Sequence, residues 1–310
     1  MELIAGVDEA GRGPLAGPVI ACAVILPNDH TIEGLKDSKK LSKIKREKLY
    51  PIIYEEAISV GIGRSSVELI DKINIREATF NAMKIALENL KPKPTKALID
   101  GHSLPDQKIP NKGIVGGDDL IDSIKAASII AKVTRDNIMK EYSIIFPEYG
   151  FEKHSGYGTK IHKDALKKYK ATPIHRRTFK PVKSQMPTLN WLSKNNKINW
   201  LGEKLASLFL IKEGEKIFNL LNGNEFSYQV NIEGQRLKKK VFIKVLTNYY
   251  NFENSINNNL INDSINNFKL SIDKKGKLEY EAGKCRFGHV FVGLKKGGPV
   301  ILYKKDIYLD

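Results

Sequence analysis

The stretch Gly6-Val7-Asp8-Glu9-Ala10-Gly11-Arg12-Gly13-Pro14 decides how the rest of the chain is read. It continues the apolar run Leu3 to Val7 through two acids into a turn rich in glycine and proline. That order predicts a strand running into a loop. Two further acids occupy comparable places: Asp100 follows Ala97-Leu98-Ile99, and Asp118 follows Val115-Gly116-Gly117. Strand ends carry carboxylates to the edge of a sheet, where several of them form an oxygen-rich pocket. Like charges packed so closely raise one another's pKa unless a cation joins them. Hard divalent ions such as Mg²⁺ bind through a few carboxylates and substrate phosphate oxygens. Two such ions roughly 3.5–4 Å apart activate water and stabilise the leaving oxygen of a phosphodiester. Acids at strand ends are also common on any protein surface, so spacing alone leaves a metal site and a solvated edge both open.

Working outward, Val19 to Leu26 reads as a buried strand with Cys22 as a core thiol. Ser42 to Tyr54 reads as a helix that Pro51 should break. Ile58 to Arg64 has strand character, and Ile75 to Leu90 is an amphipathic helix with Ala78, Ala82, Ile85 and Ala86 on its core face. Lys96 to Ile99 is a strand, and Asp119 to Tyr142 a long helix. Alternating strands and helices predict an α/β or α+β core. After Pro187 the texture changes. Trp191 to Leu210 predicts one or two helices, and Tyr228 to Asn248 two strands around Gly234. Residues 251–268 hold eight asparagines and read as a polar loop. Tyr280 to Tyr303 reads as strands broken by Gly288, Gly293 and Gly297-Gly298.

The 310 residues carry 51 Lys+Arg against 35 Asp+Glu, a formal net charge of +16. Such a surplus favours a polyanionic partner, a nucleic acid or an anionic membrane surface. No apolar run approaches the roughly 18–20 residues of a membrane span. The N-terminus has no basic region ahead of its short apolar run, so a soluble, cytoplasmic protein without a secretory signal is expected. Cys22 and Cys285 are too few and too far apart for a disulfide framework or a four-thiolate zinc site. Between Lys160 and Lys183, nine basic residues face the single acid Asp164, with Tyr157, Tyr169 and Phe179 interleaved. Cations with aromatic rings suit a phosphate backbone, although a run of charge also describes a solvated helical face.

The literal motifs are specific. Gly6 to Pro14, Asp37-Ser38-Lys39-Lys40-Leu41-Ser42, Glu77-Ala78-Thr79 and Ile99-Asp100-Gly101 resemble the ribonuclease HII family, the prokaryotic type 2 ribonuclease H. The resemblance continues, in order, through Gly117-Asp118, Ala126 to Asp136, Gly156-Tyr157-Gly158-Thr159, His162 and Ile174-His175-Arg176-Arg177-Thr178-Phe179. It spans residues 1–183 and implies a ribonuclease H-like mixed sheet with flanking helices. It implies that Asp8, Glu9, Asp100 and Asp118 hold two Mg²⁺ or Mn²⁺ ions and carry catalysis. It further implies that the Gly11-Arg12-Gly13 backbone approaches the 2′-hydroxyl of the reacting ribonucleotide. Tyr157 matches the tyrosine that stacks on the next sugar, and Lys39, Lys132, Arg135, Arg176 and Arg177 are expected on backbone phosphates. Lys132 and Asp136, four apart on one helix, also fit an internal ion pair. His162 and His175 resemble general bases, but a two-metal site supplies its own activated water and leaves them without that role.

The implied activity is hydrolysis of the RNA strand of RNA–DNA hybrids and nicking at ribonucleotides in duplex DNA, giving 5′-phosphate and 3′-hydroxyl ends. The rivals are a type 3 ribonuclease H and a non-catalytic nucleic-acid-binding protein. The partners are therefore nucleic acid, with no membrane; protein partners stay unassigned. The domains are read as 1–187, catalytic and substrate-binding, and 188–310, a helical segment with a smaller basic α+β domain. In the latter, Leu201 to Ala206 and Lys239 to Val245 are similar to a small restriction-endonuclease-like family. That family needs an acid and a lysine flanking an apolar residue on its second strand, where Ile243-Lys244-Val245 stands. A non-catalytic basic domain is the expectation. Residues 191–310 hold 20 Lys+Arg and 12 Asp+Glu, so deleting residues 190–310 should flatten the salt dependence of nucleic-acid binding. An unchanged log–log slope would contradict this.

Overall fold

A computed structural model describes residues 2–221, 230–249, 258–295 and 298–309. The chain divides into two compact units, Met1–Lys140 with Tyr149–Met186, and Glu141–Glu148 with Pro187–Asp310. The first contains β1 (Ile4–Ala10), β2 (Val19–Ile25), α1 (Lys43–Glu56), β3 (Ser59–Ser65), α2 (Val67–Ile73), α3 (Ile75–Glu88), β4 (Lys96–Asp100) and β5 (Asn111–Ile114). There follow α4 (Gly117–Leu120), α5 (Asp122–Ile145), α6 (Phe151–His154), α7 (Lys160–Tyr169) and α8 (Lys180–Lys183). The sheet order is β3-β2-β1-β4-β5. Strands β1, β2 and β3 pair antiparallel, and β4 and β5 join parallel to β1, so the sheet is mixed.

Each sheet face has its own core. Ala5, Val7, Ala97 and Ile99 pack with Ala78, Ala82, Met83, Ala86 and Leu87 of α3. On the other face Ala10, Ile20, Cys22 and Val24 meet Ala126 to Val133 of α5 and Leu49 and Ile53 of α1. The small residues of α3 recur every four positions, which explains how that helix lies so close to the strands. The helix begins where Asn74 accepts hydrogen bonds from the Arg76 and Glu77 amides.

Local signals mislead in several places. α1 runs straight through Pro51. Pro51 and Glu47, whose carbonyl loses its amide partner, are both exposed, so water replaces that bond while buried Leu49 and Ile53 hold the helix down. β1 does not end at Val7 but continues to Ala10, because β2 goes on pairing with it at Asp8, Glu9 and Ala10. The long helix is split, with Ile121 extended between α4 and α5.

The second unit takes up Glu141–Glu148 from the end of α5, where the sequence places the boundary at 187 alone. The physical reason is a set of contacts: Trp200 Nε1 donates to Glu148 Oε1 at 2.8 Å, and Ile144 joins the second core. This unit holds α9 (Leu189–Lys194), α10 (Ile198–Lys212), β6 (Lys216–Leu220), β7 (Ile232–Arg236), β8 (Lys239–Tyr249), α11 (Asn258–Ser271), α12 (Lys274–Glu281), β9 (Cys285–Leu294) and β10 (Val300–Lys304). Its sheet runs β10-β9-β8-β7-β6, with β8 and β9 parallel. Gly234 lies inside β7, and the turn falls at Leu237 and Lys238, both at positive φ. Gly288 and Gly293 do not break β9, which is paired on both sides. Gly297 and the Tyr228 end of its run lie outside the described residues. So do residues 251–257 of the asparagine-rich stretch; from 258 it is helical, since Ile261, Ile265 and Phe268 recur on one face and Phe268 is buried. Among the described residues no helix is long and apolar enough to cross a membrane.

Gly6 matters most to the placement of the acids. A Cβ there would lie 2.3 Å from the Ile124 amide nitrogen, so only glycine lets the start of α5 seat on β1. Gly6→Ala should cost about 1–3 kcal/mol, read as a lower urea midpoint at unchanged slope. An unaltered midpoint would contradict this packing.

Candidate active site

The parallel register pairs Val7 with Ile99, so Asp8 and Asp100, one residue further along each strand, stand side by side on the same sheet face. The Gly116–Gly117 turn into α4 brings Asp118 over them, and the Asp118 amide donates to Asp100 Oδ1 at 3.3 Å. One carboxylate oxygen from each of Asp8, Asp100 and Asp118 lies within 4.8 Å of the others. Asp8 and Asp118 are buried and Asp100 is half-buried. Burial, then the Glu9 and Asp100 charges, pushes the Asp8 carboxyl well up. Burial and Asp118 raise Asp100. This is the electrostatic state of a site that welcomes a cation, and the all-oxygen donor set suits a hard divalent ion.

Glu9 is not one of this trio, but its carboxylate lies within electrostatic reach of it, since its charge helps raise Asp8 and the Asp100 charge helps raise Glu9. Side chains alternate along a strand, so its Cβ leaves the face opposite to Asp8. Its carboxylate receives the Arg12 guanidinium at 3.4 Å, and burial raises its pKa despite that partner. Lys39 lies on the rim, its Nζ 3.1 Å from Asp118 Oδ2 and 3.8 Å from Asp37 Oδ1. Burial lowers the Lys39 pKa, but the Asp118 hydrogen bond and charge outweigh it and the net shift is upward. Asp37 opens one of the motifs quoted from the sequence, but sequence reasoning gave it no role. It is buried, accepts from the Lys39 amide and so orients that lysine.

Beyond β1 the chain enters the Gly11-Arg12-Gly13 loop. Gly11 has φ +101°, and a Cβ on it would lie 2.1 Å from Arg135 Nε, so both backbone and space demand glycine. Arg135 and Arg176, expected on phosphates, are instead buried in the loop's foundation. Arg135 donates to the carbonyls of Pro18, Ser155 and Ala16 at 2.9–3.0 Å. Arg176 donates to the carbonyls of Gly11, Arg12 and Gly17. The correction has a simple cause: a tight glycine turn leaves carbonyls pointing inward, and buried carbonyls need donors. Burial and the neighbouring Arg135 lower the Arg176 pKa to about 9. A Cβ on Gly13 would sit 3.7 Å from the Tyr157 ring, so the loop and Tyr157, 44% exposed, flank one surface.

Lys132 forms the internal pair that its spacing allowed, 2.7 Å from Asp136, which also accepts from Ser155. Arg177 is exposed, while its amide donates to Asp71 at 3.0 Å. A cleft of about 500 Å³ beside Tyr157 is lined by Lys43, Arg46, Lys132, Asp136, Lys140 and Lys153 among others. Four of those cations escaped sequence reasoning because they are scattered along the chain rather than clustered. The dense run from Lys160 instead includes an exposed face of α7, with Lys160 paired to Asp164 at 2.7 Å. In the second unit Glu203 accepts from Asn231 at 2.9 Å. Among the described residues, Asp8, Asp100 and Asp118 are the one group of three with metal-ligating spacing.

Comparisons with known proteins bear on the family and the fold. The sequence profile of the Ribonuclease HII family matches residues 5–182. Over 183 residues the chain is 54% identical to ribonuclease HII of Desulfitobacterium hafniense (strain DSM 10664 / DCB-2), covering 59% of this chain and 70% of that one. Over 178 residues it is 57% identical to the Acetivibrio thermocellus ribonuclease HII, covering 57% and 70%. Among solved structures, ribonuclease H2 from Pyrococcus horikoshii OT3 superimposes with a TM-score of 0.50 at 28% identity, over 58% of this chain and 95% of that one. The RNase HII of Archaeoglobus fulgidus, solved in complex with PCNA, gives 0.51 at 26%, over 61% and 99%. The profile match ends at residue 182, before the second unit's long C-terminal segment begins. With a mixed five-stranded sheet, an acidic trio at its centre and a profile match over more than half its length, the chain belongs to the ribonuclease HII family and is a ribonuclease H enzyme.

Proposed function

We propose that this enzyme hydrolyses the RNA strand of RNA–DNA hybrids and nicks at single ribonucleotides embedded in duplex DNA, leaving 5′-phosphate and 3′-hydroxyl ends. The observation that carries the reading is the convergence of Asp8, Asp100 and Asp118 on the strand edge that continues into the Gly11-Arg12-Gly13 loop. These three carboxylates, with Glu9 beside them, would hold Mg²⁺ or Mn²⁺. When bound, a pair of such ions supplies an activated water and offsets charge on the leaving oxygen. The chain's own groups do the selecting. The bare backbone at Gly11 and Gly13 lets the main chain approach the 2′-hydroxyl, the group that distinguishes RNA from DNA. Tyr157, beside Gly13 and exposed, offers a ring to the sugar that follows. Of the expected phosphate contacts Lys39, Lys132 and Arg177 remain, and the exposed Arg12 guanidinium and the basic cleft beside Tyr157 offer further ones. Lys39 has a second part to play, since its ammonium balances Asp118 when no metal is present.

Asp8→Asn or Asp100→Asn should lower Mg²⁺-dependent cleavage of a single-ribonucleotide duplex by at least about 10³-fold, with hybrid binding largely kept. Wild-type rates in either variant would overturn the reading. Tyr157→Ala should lower cleavage at the RNA-to-DNA junction about tenfold or more, the scale of one lost stacking contact, and affect hybrid binding less. Equal losses on both would contradict its role. Stability supplies a check independent of turnover. Because the Asp8 pKa is raised in the fold, the apoprotein is stabilised by protonating it and loses that stabilisation as pH rises. At neutral pH Asp8→Asn should therefore raise the metal-free Tm and diminish the further rise that Mn²⁺ causes in the wild type. A lower metal-free Tm would count against the electrostatic strain.

A further inference from the structure

Two buried histidines that catalysis leaves unused link the two substrate-facing elements. His162 Nδ1 lies 2.9 Å from the Tyr157 carbonyl, and His162 Nε2 lies 3.0 Å from His175 Nε2. His175 Nδ1 is 3.0 Å from the Thr172 amide nitrogen and 2.8 Å from Thr172 Oγ1. The groups at the ends of this chain have fixed polarity. A carbonyl only accepts, so His162 must carry its proton on Nδ1 and present Nε2 as an acceptor. A backbone amide only donates, so His175 Nδ1 must accept, and the proton between the rings belongs to His175 Nε2. Both rings are fully buried, and burial keeps them neutral, with His162 lowered to about 4. A third ring fits the same logic. His154 stacks on His162 at 4.9 Å, accepts the Gly156 amide on Nδ1 and donates from Nε2 to the Tyr149 carbonyl.

The two ends of the His162–His175 pair sit at meaningful places. One holds the Tyr157 carbonyl. The other lies on His175, which forms an isolated antiparallel bridge with Ala16 and precedes Arg176, whose guanidinium clamps the Gly11 and Arg12 carbonyls. The Leu15 amide donates to the Gly156 carbonyl and the Arg176 amide to the Leu15 carbonyl, closing the circuit. We propose that His162 and His175 are positioning residues: a proton-ordered pair that sets the spacing between the Gly11-Arg12-Gly13 loop and Tyr157, and with it the preference for RNA-to-DNA junctions. This rests on the function proposed above for those two elements.

The test uses the full chain. Long-range ¹H–¹⁵N correlation of the histidine rings should show His162 protonated on Nδ1 and His175 on Nε2, both neutral at pH 7. The opposite tautomers, or an imidazolium in either ring, would overturn the proposal. In parallel, kcat/KM is measured on a single-ribonucleotide duplex and on an all-RNA hybrid. His162→Leu should lower the ratio of the two about tenfold, one lost buried hydrogen bond. His162→Asn, whose amide stands near the Nδ1 position, should restore it to within about threefold. A folded His162→Leu with the wild-type ratio would overturn the proposal, and if that variant fails to fold, the wild-type tautomers decide. A wild type that cuts neither substrate would overturn the functional reading, and the positioning role with it, even where the tautomers are as stated.

Discussion

Three carboxylates whose oxygens approach within 4.8 Å repel one another, and the fold has to hold them there while withdrawing them from water. Everything in the first unit serves that constraint. The parallel pairing of β1 with β4 puts Asp8 beside Asp100. The missing side chain at Gly6 lets α5 seat against β1, and the α4 turn just ahead of it carries Asp118 over the pair. Two apolar cores, one on each sheet face, supply the rigidity that resists the repulsion. The cost appears as raised pKa values at Asp8 and Asp100, and Lys39 offsets part of it from the rim. A divalent cation would relieve the remainder, so that the site's affinity for metal would follow from the fold's own strain.

Selectivity has a different physical basis. Around the glycine loop the backbone at Gly11 and Gly13 carries no side chain, and such a bare backbone needs support from below. Arg135 and Arg176 provide it, directing their guanidinium hydrogens to inward carbonyls. Cations that a surface reading assigns to nucleic acid thus become internal scaffolding, while Arg12, Lys39 and Arg177 keep their charges at the surface.

Much of the first unit is legible in its residues. The acids at Asp8, Asp100 and Asp118 announce a pocket because each ends or follows an apolar run, and the four-residue rhythm of alanines in α3 announces its core face. What escapes is what depends on distant partners. Whether Arg176 is buried is set by Gly11 and Gly17, more than 150 residues away in sequence. That Glu9 leaves β1 on the other face from Asp8 and is missing from the trio follows from β1 extending past Val7, which only its pairing with β2 decides. In the second unit, asparagine content conceals the apolar face of α11, and the glycines of β9 suggest breaks that pairing on both sides prevents.

If cation binding relieves crowded carboxylates whose pKa values burial and neighbouring charge raise, metal competes with protons for them. Calorimetric titration of Mn²⁺ into the protein, repeated in buffers of different ionisation enthalpy, counts the protons displaced. Saturable binding is expected, with net proton release that grows as pH is lowered toward the raised carboxyl pKa values, since more protons are then left to expel. Binding whose proton release does not grow as pH is lowered, or no saturable binding at all, would contradict it.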